Sequence, residues 1–292
     1  MQAIYRTISF INNHPLAQKN LILAYYRFFK WQFNSIINKN LQPVHFIGSI
    51  NFLAKKRLTG ITGNIYTGLH EFNDMGFLLH FLKQDDLFFD IGANVGSYTL
   101  LASFRKAKTI AFEPILETFD ILKKNIELNS LHADVTLVNK AVSSKHGIIN
   151  FTNNQDTTNH VVNHPSEQTT EVEMILLDDF FEENKPILMK IDVEGFETEV
   201  LNGAKNYLSD TSLKAIIIEL NGSGNRYGFK DDDIQTKLLK HHFKPYDYNP
   251  ITRILNELNT YGKDNTIYIR DLEFVKKRIQ SSEAFKILNQ VI

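Results

Sequence analysis

The chain of 292 residues contains no cysteine. This absence excludes disulfide bonds, thiolate zinc sites, iron–sulfur clusters and cysteine nucleophiles, and it favours a reducing, cytoplasmic location. The chain also lacks an excess of either sign of charge, since 32 Lys and Arg and 33 Asp and Glu give a formal net charge of −1. Nucleic-acid-binding proteins usually carry a basic excess, so we expect no nucleic-acid partner.

Long hydrophobic runs are missing as well. The N-terminus lacks the charged-then-apolar order of a signal peptide. The most apolar early stretch, residues 21–33, contains Arg27 and Lys30 and is too short to cross a bilayer, so we expect no transmembrane segment. It predicts an amphipathic helix that carries the only tryptophan, Trp31, and packs on its own domain or on a second copy of the chain. Attachment to a membrane surface is the alternative, and a homo-oligomer through the N-terminal helices is a further expectation.

From about residue 85 onward, short apolar runs alternate with helical patterns. Predicted strands cover residues 87–89, 109–112, 135–138, 148–151, 172–177, 187–191, 213–220 and 266–270. Predicted helices cover residues 97–106, 115–129, 197–208 and 232–242, and a last helix begins at 271. This order indicates a parallel sheet covered on both sides. Residues 1–80 are predicted to be a mainly helical N-terminal extension, and residues 81–292 one α/β domain.

A glycine-rich turn, Asp90 to Gly96 (DIGANVG), lies between a predicted strand and a predicted helix. A dinucleotide-binding turn needs the spacing G-x-G-x-x-G, whereas Gly92 and Gly96 give only G-x-x-x-G. A phosphate-binding P-loop needs a Lys directly after its last glycine, and Val95-Gly96-Ser97 supplies none. The spacing therefore argues against both kinds of phosphate site.

Two carboxylates indicate a different ligand. Asp90 stands just before the first glycine of the turn, where it would repel a pyrophosphate and suit a cationic amino group. Glu113 ends the next predicted strand, where it can accept two hydrogen bonds from a ribose diol. A ligand with an amino-acid group at the turn and a ribose at Glu113 matches S-adenosylmethionine (SAM).

The same residues carry a family resemblance. D-I-G-A-N-V-G followed by A-F-E-P resembles the class I SAM-dependent methyltransferases. Four further segments make the chain similar to the FkbM-type members: Tyr66-x-Gly68-x-x-Glu71, Asn139-Lys140-Ala141-Val142, Leu177-Asp178-Asp179-Phe180 and the K-I-D-V-E-G-F-E run of 190–197. The resemblance spans about residues 62–222, and D-N-T-I-Y at 264–268 extends it to the last strand, whereas the first 60 residues resemble nothing that we can name.

The resemblance implies a Rossmann-like, seven-stranded, mostly parallel sheet with helices on both faces and one antiparallel edge hairpin. SAM would lie across the carboxyl ends of the strands and leave as S-adenosylhomocysteine (SAH). The cofactor-binding residues implied are Asp90, Gly92, Asn94 and Gly96 at the methionine end, Glu113 and Pro114 at the ribose, Asn139, Ala141 and Val142 near the adenine, and Glu71 upstream of the turn.

Asp192 and Glu194 are the implied catalytic residues, and the implied reaction is methyl transfer to a hydroxyl of a carbohydrate or another small natural product. An alcohol needs a base to accept its proton, and two carboxylates two positions apart on an extended chain point to the same side. One of them would accept the proton and the other would orient the substrate or coordinate a cation. In the alternative, Glu194 caps the following helix and only Asp192 faces the site. Lys190 is placed to pair with Asp192.

Other residues carry weaker indications. Glu219 closes a strand beside the site, and the alternative to a site role is that it only satisfies buried backbone groups. His160 and His164 lie on a polar segment, where a lone histidine is usually at the surface. Asn249-Pro250 lacks the second proline and the aromatic residue of the N-P-P-[YF] motif of nitrogen methyltransferases, which disfavours a nitrogen acceptor. No histidine or carboxylate spacing indicates a metal site, so none is predicted.

Two other functions remain open at this point. A non-catalytic protein that keeps the SAM-binding fold, with the aromatic N-terminal helix as its interaction surface, is one alternative. A nicotinamide-dependent oxidoreductase is the other, and the glycine spacing disfavours it.

Overall fold

The computed structural model describes residues 2–56, 58–152, 160–162 and 169–292. The helices are α1 Gln2–Asn13, α2 Pro15–Gln18, α3 Leu21–Ile37, α4 Thr59–Thr67, α5 Phe72–Phe81, α6 Ser97–Phe104, α7 Leu116–Leu128, α8 Glu197–Asn202, α9 Lys205–Ser209, α10 Asp231–Lys240 and α11 Leu272–Gln280. The strands are β1 Gln42–Ile47, β2 Ile50–Ala54, β3 Leu87–Ile91, β4 Lys108–Phe112, β5 Val135–Val138, β6 Ala141–Ser143, β7 Gly147–Thr152, β8 Val161–Val162, β9 Thr169–Leu176, β10 Leu188–Ile191, β11 Ala215–Glu219, β12 Lys244–Asn249, β13 Ile254–Glu257, β14 Asn265–Ile269, β15 Lys286–Ile287 and β16 Gln290–Val291.

The main sheet has the strand order β13-β12-β14-β11-β10-β3-β4-β5. The strands from β11 to β5 pair in parallel, whereas β14 runs antiparallel to both of its neighbours. This arrangement confirms the Rossmann-like α/β class. The sheet has eight strands instead of the predicted seven, because β13 folds back on β12 and adds an antiparallel edge.

Helices cover both faces of this sheet, as the apolar strands predict. Phe88 and Phe89 are consecutive residues of β3, and both are fully buried. Successive side chains of a strand point to opposite faces, and the two rings belong to different hydrophobic clusters, one on each side of the sheet. A strand buried on both faces must be apolar at every position, which explains the unbroken apolar runs in the sequence.

A smaller sheet of four strands, in the order β6-β9-β7-β8, lies after β5. The strands predicted at 148–151 and 172–177 belong to it and not to the main sheet. The predicted strand 172–177 extends one residue too far, because Leu177 begins a short 3₁₀ helix. A third cluster of buried apolar residues fills the inner side of this sheet.

The helix predicted for 197–208 is in fact two helices, α8 and α9. The first ends at Gly203, where an added Cβ would lie 2.0 Å from the backbone oxygen of Ser143. The chain therefore passes β6 too closely for a side chain at this point. Helical periodicity does not report such a contact with a distant segment.

The N-terminal extension contains α1 to α5 and also a hairpin, β1-β2, that the sequence did not indicate. The hairpin packs on α7, where Asn125 Oδ1 accepts the backbone N–H of Leu53 at 2.7 Å and Asn129 Oδ1 accepts that of Asn51 at 2.8 Å. The boundary at residue 80 stays a prediction, although α5, which precedes it, packs on α6, α11 and β12. Within the described residues, none of the helices combines the length and apolar content that a bilayer crossing requires.

Candidate active site

A cleft lies at the carboxyl ends of β3, β4, β10 and β11. Parallel pairing brings these ends together, since Ile91 of β3 aligns with Phe112 of β4 and with Ile191 of β10. The cleft is lined by His70, Glu71, Met75, Asp90 to Val95, Ser97, Tyr98, Phe112 to Ile115, Thr118, Lys140 to Val142, Phe151, Lys190, Asp192 to Glu194, Phe196 and Glu219. Most of the predicted site residues therefore meet in one place.

The glycine turn is shaped by close contacts with neighbouring segments. Gly92 has a φ of +82°, and an added Cβ would lie 1.8 Å from the backbone oxygen of Asp192. Gly96 has a φ of +97°, and a Cβ there would lie 2.6 Å from Cδ1 of Leu122. Side chains at these two positions would separate the turn from β10 and α7. Glycine at both positions therefore permits the turn to pack closely against these two segments.

Asp90 is almost fully buried and accepts a hydrogen bond from Thr99 Oγ1 at 2.6 Å. Burial raises the pKa of Asp90 to about 6, against the opposing effect of the Thr99 hydrogen bond. Thr99 was not predicted as a site residue. Its position three residues after Gly96, on the first turn of α6, is the only sequence signal for it.

Glu113 is buried, and its two oxygens accept different backbone N–H groups. Oε2 accepts the N–H of Asn94 and Oε1 that of Ile115, each at 2.9 Å. Burial raises the pKa of Glu113 to about 7, although both hydrogen bonds oppose the rise. Each carboxylate oxygen can accept a further hydrogen bond, so the group can still bind a pair of hydroxyls.

Asn139 lies behind the lining of the cleft and not on it. Its Nδ2 donates to the backbone oxygens of Glu113 at 2.8 Å and Pro114 at 3.0 Å. It therefore fixes the chain end that carries Glu113. Ala141 and Val142 do line the cleft, as predicted for the adenine side.

Asp192 forms an ion pair with Lys190, with 2.8 Å between Oδ2 and Nζ. Lys190 is 1% exposed, and its ammonium lies 5.2 Å from the centre of the Tyr98 ring. Burial disfavours the charge on Lys190, but Asp192 and then Glu71 outweigh it and raise its pKa. Tyr98 also donates a hydrogen bond to Glu71 Oε2 at 2.5 Å. The expected Lys190–Asp192 pair is present, and one oxygen of Asp192 is occupied by it.

Glu194 faces the cleft and does not cap the following helix. The start of α8 has no side-chain cap. The backbone N–H groups of Val193 and Gly195 in the preceding loop donate to Oε1 of Glu197, each at 3.1 Å, so Glu197 holds the loop that carries Glu194. Burial, followed by repulsion from Asp192, raises the pKa of Glu194 to about 7. A carboxylate with that pKa is suited to accept a proton at neutral pH.

Glu219 is the third carboxylate at this end of the sheet. Oxygens of Asp192, Glu194 and Glu219 lie within 4.8 Å of one another, close enough to share protons or a cation. Oε2 of Glu219 is buried and finds no hydrogen-bond partner in the described part of the chain, so it does not serve buried backbone groups. Burial and the charge of Asp192 raise the pKa of Glu219 to about 9.

Of the two predicted loop histidines, His160 does not line the cleft and His164 lies outside the described residues.

Comparisons with known proteins indicate which chemistry suits this cleft. Residues 90–245, just over half of the chain, match the family model described as the Methyltransferase FkbM domain. Hexuronic acid methyltransferase AglP of Haloferax volcanii is 33% identical over 165 residues, which cover 56% of this chain and 64% of that protein. Methyltransferase sdnD of Sordaria araneosa is 26% identical, with 45% of this chain and 65% of that protein covered. The matches thus span less than two thirds of the length of both relatives.

A similar solved structure is the precorrin-6y C5,15-methyltransferase from Geobacter metallireducens. It shares 14% sequence identity with this chain and has a TM-score of 0.42. The likeness covers 75% of this chain and 93% of the precorrin enzyme.

Proposed function

Because the chain belongs to the FkbM family of SAM-dependent methyltransferases, we propose that it transfers the methyl group of SAM to a hydroxyl oxygen of a sugar or another small natural product. The observation that carries this proposal is the position of Glu194. It follows Asp192 after the end of β10, lines the cleft and makes no capping hydrogen bond to α8. The name of the Haloferax relative, a hexuronic acid methyltransferase, supports a carbohydrate acceptor.

The lining of the cleft suits each part of the cofactor. Glu113 offers acceptor oxygens to the two ribose hydroxyls, and the buried carboxyl of Asp90 sits beside the turn that would receive the amino-acid end. Ala141 and Val142 supply an apolar surface for the adenine, while Asn139 positions Glu113 from behind. The glycine turn has neither of the two phosphate-binding patterns, and this agrees with a cofactor that carries a sulfonium and an ammonium group.

Bound SAM supplies an electrophilic methyl carbon on a cationic sulfur. With SAM held by Asp90, Glu113 and the glycine turn, the acceptor oxygen would form a C–O bond as the C–S bond broke, and a carboxylate oxygen of Glu194 would accept the hydroxyl proton. The products are the methyl ether and SAH. The residues of the chain supply the base and align the acceptor oxygen with the methyl carbon. This alignment accounts for a large part of the rate enhancement in such a displacement.

Asp192 is a positioning group in this scheme. The ammonium of Lys190 fixes one of its oxygens at 2.8 Å and leaves the other free to accept a hydrogen bond from the acceptor. The backbone oxygen of Asp192 itself packs against Gly92, so its carboxylate is held at a fixed place relative to the turn.

The proposal is tested by incubating the full chain and methyl-labelled SAM with a panel of neutral and charged sugars, followed by mass and NMR analysis of the product. We expect label in an O-methyl group, and we expect Glu194→Gln to lose turnover while Asp233→Asn, an exposed site on α10, retains it. Label on nitrogen or carbon would contradict O-methylation. SAH binding with no transfer to any acceptor would favour the alternative, a SAM-binding scaffold.

A further inference from the structure

A second cavity adjoins the cleft on the side of the N-terminal helices. It has a volume of about 600 Å³. It is lined by Ser9, Phe10, Asn13, His14, Pro15, His70 to Asp74, Glu219, Asp264 and Asn265. We propose that this cavity holds the methyl acceptor, and that the acceptor is a hydroxylated molecule without a negative charge. The inference rests on the proposed function and adds a location and a chemical class to it.

The cavity reaches the reacting groups of the cleft. His70, Glu71 and Glu219 line both spaces. Glu219 also brings an oxygen within 4.8 Å of oxygens of Asp192 and Glu194. A molecule in the second cavity therefore extends directly to the base that would take its proton.

The end wall of the cavity presents acceptor atoms that lack donors. Glu219 and Asn265 face each other in the register of β11 and β14. Oε2 of Glu219 and Oδ1 of Asn265 are both buried without a hydrogen-bond partner in the described residues. Burial raises the pKa of Glu219 to about 9, so its carboxyl is protonated near pH 7, whereas Oδ1 of Asn265 can only accept. A buried acceptor without a partner is costly, so a ligand that donates a hydrogen bond to Asn265 is favoured here. Hydroxyl and ammonium groups donate, whereas a carboxylate can only accept.

The charges around the cavity have one sign. Glu71, Asp74, Glu219 and Asp264 are the acids of the lining, and no Lys or Arg is present among the described residues that line the cavity. Burial raises the pKa of Asp74 to about 7 and that of Glu219 to about 9, so Glu219 is protonated near pH 7 and adds no charge.

The two histidines of the lining do not offset this charge. Burial lowers the pKa of His14 to about 4 and also lowers that of His70, so both are neutral near pH 7. The two lysines that line the adjoining cleft are already paired, Lys190 with Asp192 and Lys140 with Glu173. An anionic ligand would face several carboxylates without a counter-ion, and this favours neutral or cationic acceptors. The expected class differs from the acid in the name of the Haloferax relative.

The test uses the full chain saturated with SAH and three matched probes: methyl glucoside, methyl glucosaminide and methyl glucuronide. Saturation-transfer NMR should detect the first two and show at least tenfold weaker binding of the glucuronide. Ser9→Trp, which fills the cavity from α1, should abolish probe binding and leave SAH binding intact. Tyr5→Trp is the matched control, because Tyr5 lies on the same helix and is 75% exposed.

Equal or tighter binding of the glucuronide would overturn the inference, and so would binding of none of the three probes. Unchanged probe binding in Ser9→Trp would place the acceptor elsewhere and overturn it too. SAH binding is measured first in the same sample by calorimetry. Its absence would contradict the proposed function itself, so the two failures are distinguishable.

Helix α3 is apolar on two opposite faces. Ala24, Phe28 and Trp31 are buried against the domain. On the opposite face a stripe of large apolar side chains is exposed: Ile22, Tyr26, Phe29, Phe33, Ile36 and Ile37. We infer that this stripe is covered by the same stripe of a second copy of the chain.

The spacing and size of the stripe support a second copy as the partner. The positions 22, 26, 29, 33 and 36 follow the alternating four-and-three spacing of a helix–helix seam. At about 100 Å² for each side chain, two stripes would bury about 1,200 Å², which is enough for a specific interface.

Analytical ultracentrifugation of the full chain tests this second inference. We expect a dimer at micromolar concentration, a monomer for Phe29→Glu with unchanged SAH binding, and a dimer for Leu239→Glu, a control at an exposed leucine of α10. A monomeric wild type at every concentration would overturn the inference, as would a Phe29→Glu dimer. Wild-type binding to anionic lipid vesicles that Phe29→Glu abolishes would show that a membrane covers the stripe instead.

Discussion

The backbone N–H of Asn94 donates a hydrogen bond to Oε2 of Glu113 at 2.9 Å. This bond joins the glycine turn after β3 to the end of β4, and Oε1 of the same carboxylate holds the N–H of Ile115. The groups proposed for the amino-acid end and the ribose of the cofactor are therefore one connected unit. Such a unit is organised before the ligand arrives, which lowers the entropic cost of binding.

Replacement of Gly92 by alanine should disrupt this unit. The new Cβ would lie 1.8 Å from the Asp192 backbone oxygen, so the turn and β10 must separate. Gly228→Ala is a matched control, since its φ of +79° is similar and nothing lies within 4 Å of the added atom. Backbone strain alone costs about 1–2 kcal/mol, so Gly228→Ala should lose about that much in the free energy of unfolding and retain SAH binding.

Gly92→Ala should lose clearly more stability than Gly228→Ala and should not bind SAH detectably. Denaturant unfolding and calorimetry measure the two quantities. Equal losses of stability in both variants would show that the contact between the turn and β10 is not tight.

The pH dependence of turnover should report the protonation of Glu194. A base must be deprotonated to accept the acceptor proton, so kcat/KM should rise with pH through about 7, the pKa to which burial and Asp192 raise this carboxyl. Glu194→Gln should lower kcat by about 10²–10⁴-fold and remove this rise. A variant that keeps the same pH profile would exclude Glu194 as the base.

The stability of the ligand-free protein should fall as pH rises. Burial raises the pKa of Asp90 to about 6 and those of Glu113, Glu194 and Glu197 to about 7. A carboxyl whose pKa is higher in the folded state binds more protons when folded, so its stabilising contribution is full below the unfolded pKa and lost above the folded one. Buried His14 and His80, whose pKa is lowered from 6.5 to about 4, act in the opposite sense below about pH 6.5, so the melting temperature should decrease between about pH 6.5 and pH 8. Calorimetric melting without ligand measures this, and a flat or rising melting temperature would contradict the raised pKa values.

The sequence predicted those features of the site that depend on local pattern. Strand ends are visible as apolar runs that stop at a charged residue, and parallel pairing then brings Asp90, Glu113 and Asp192 to one edge of the sheet. The pairing of Lys190 with Asp192 follows from their two-residue spacing on one strand face.

Features that depend on distant segments were not predictable in this way. Glu194 precedes α8 and Glu197 is its first residue, and only the folded loop shows that Glu197 accepts the N–H groups of Val193 and Gly195. The predicted helix is interrupted at Gly203 because β6 passes close to this residue. The second cavity forms where α1 approaches the start of β14. Periodicity contains no information about such contacts.

Calorimetric titration with SAH measures whether the cleft binds the cofactor and whether Glu113 contributes to binding. We expect one site on the wild-type chain, binding at least tenfold weaker in Glu113→Ala, and unchanged binding in Glu117→Ala, an exposed glutamate on α7. The expected loss corresponds to about 1.5–3 kcal/mol for hydrogen bonds to a charged group. Melting curves of each variant show that the fold is retained. An absence of SAH binding to the wild type, or equal affinity in Glu113→Ala, would contradict the account.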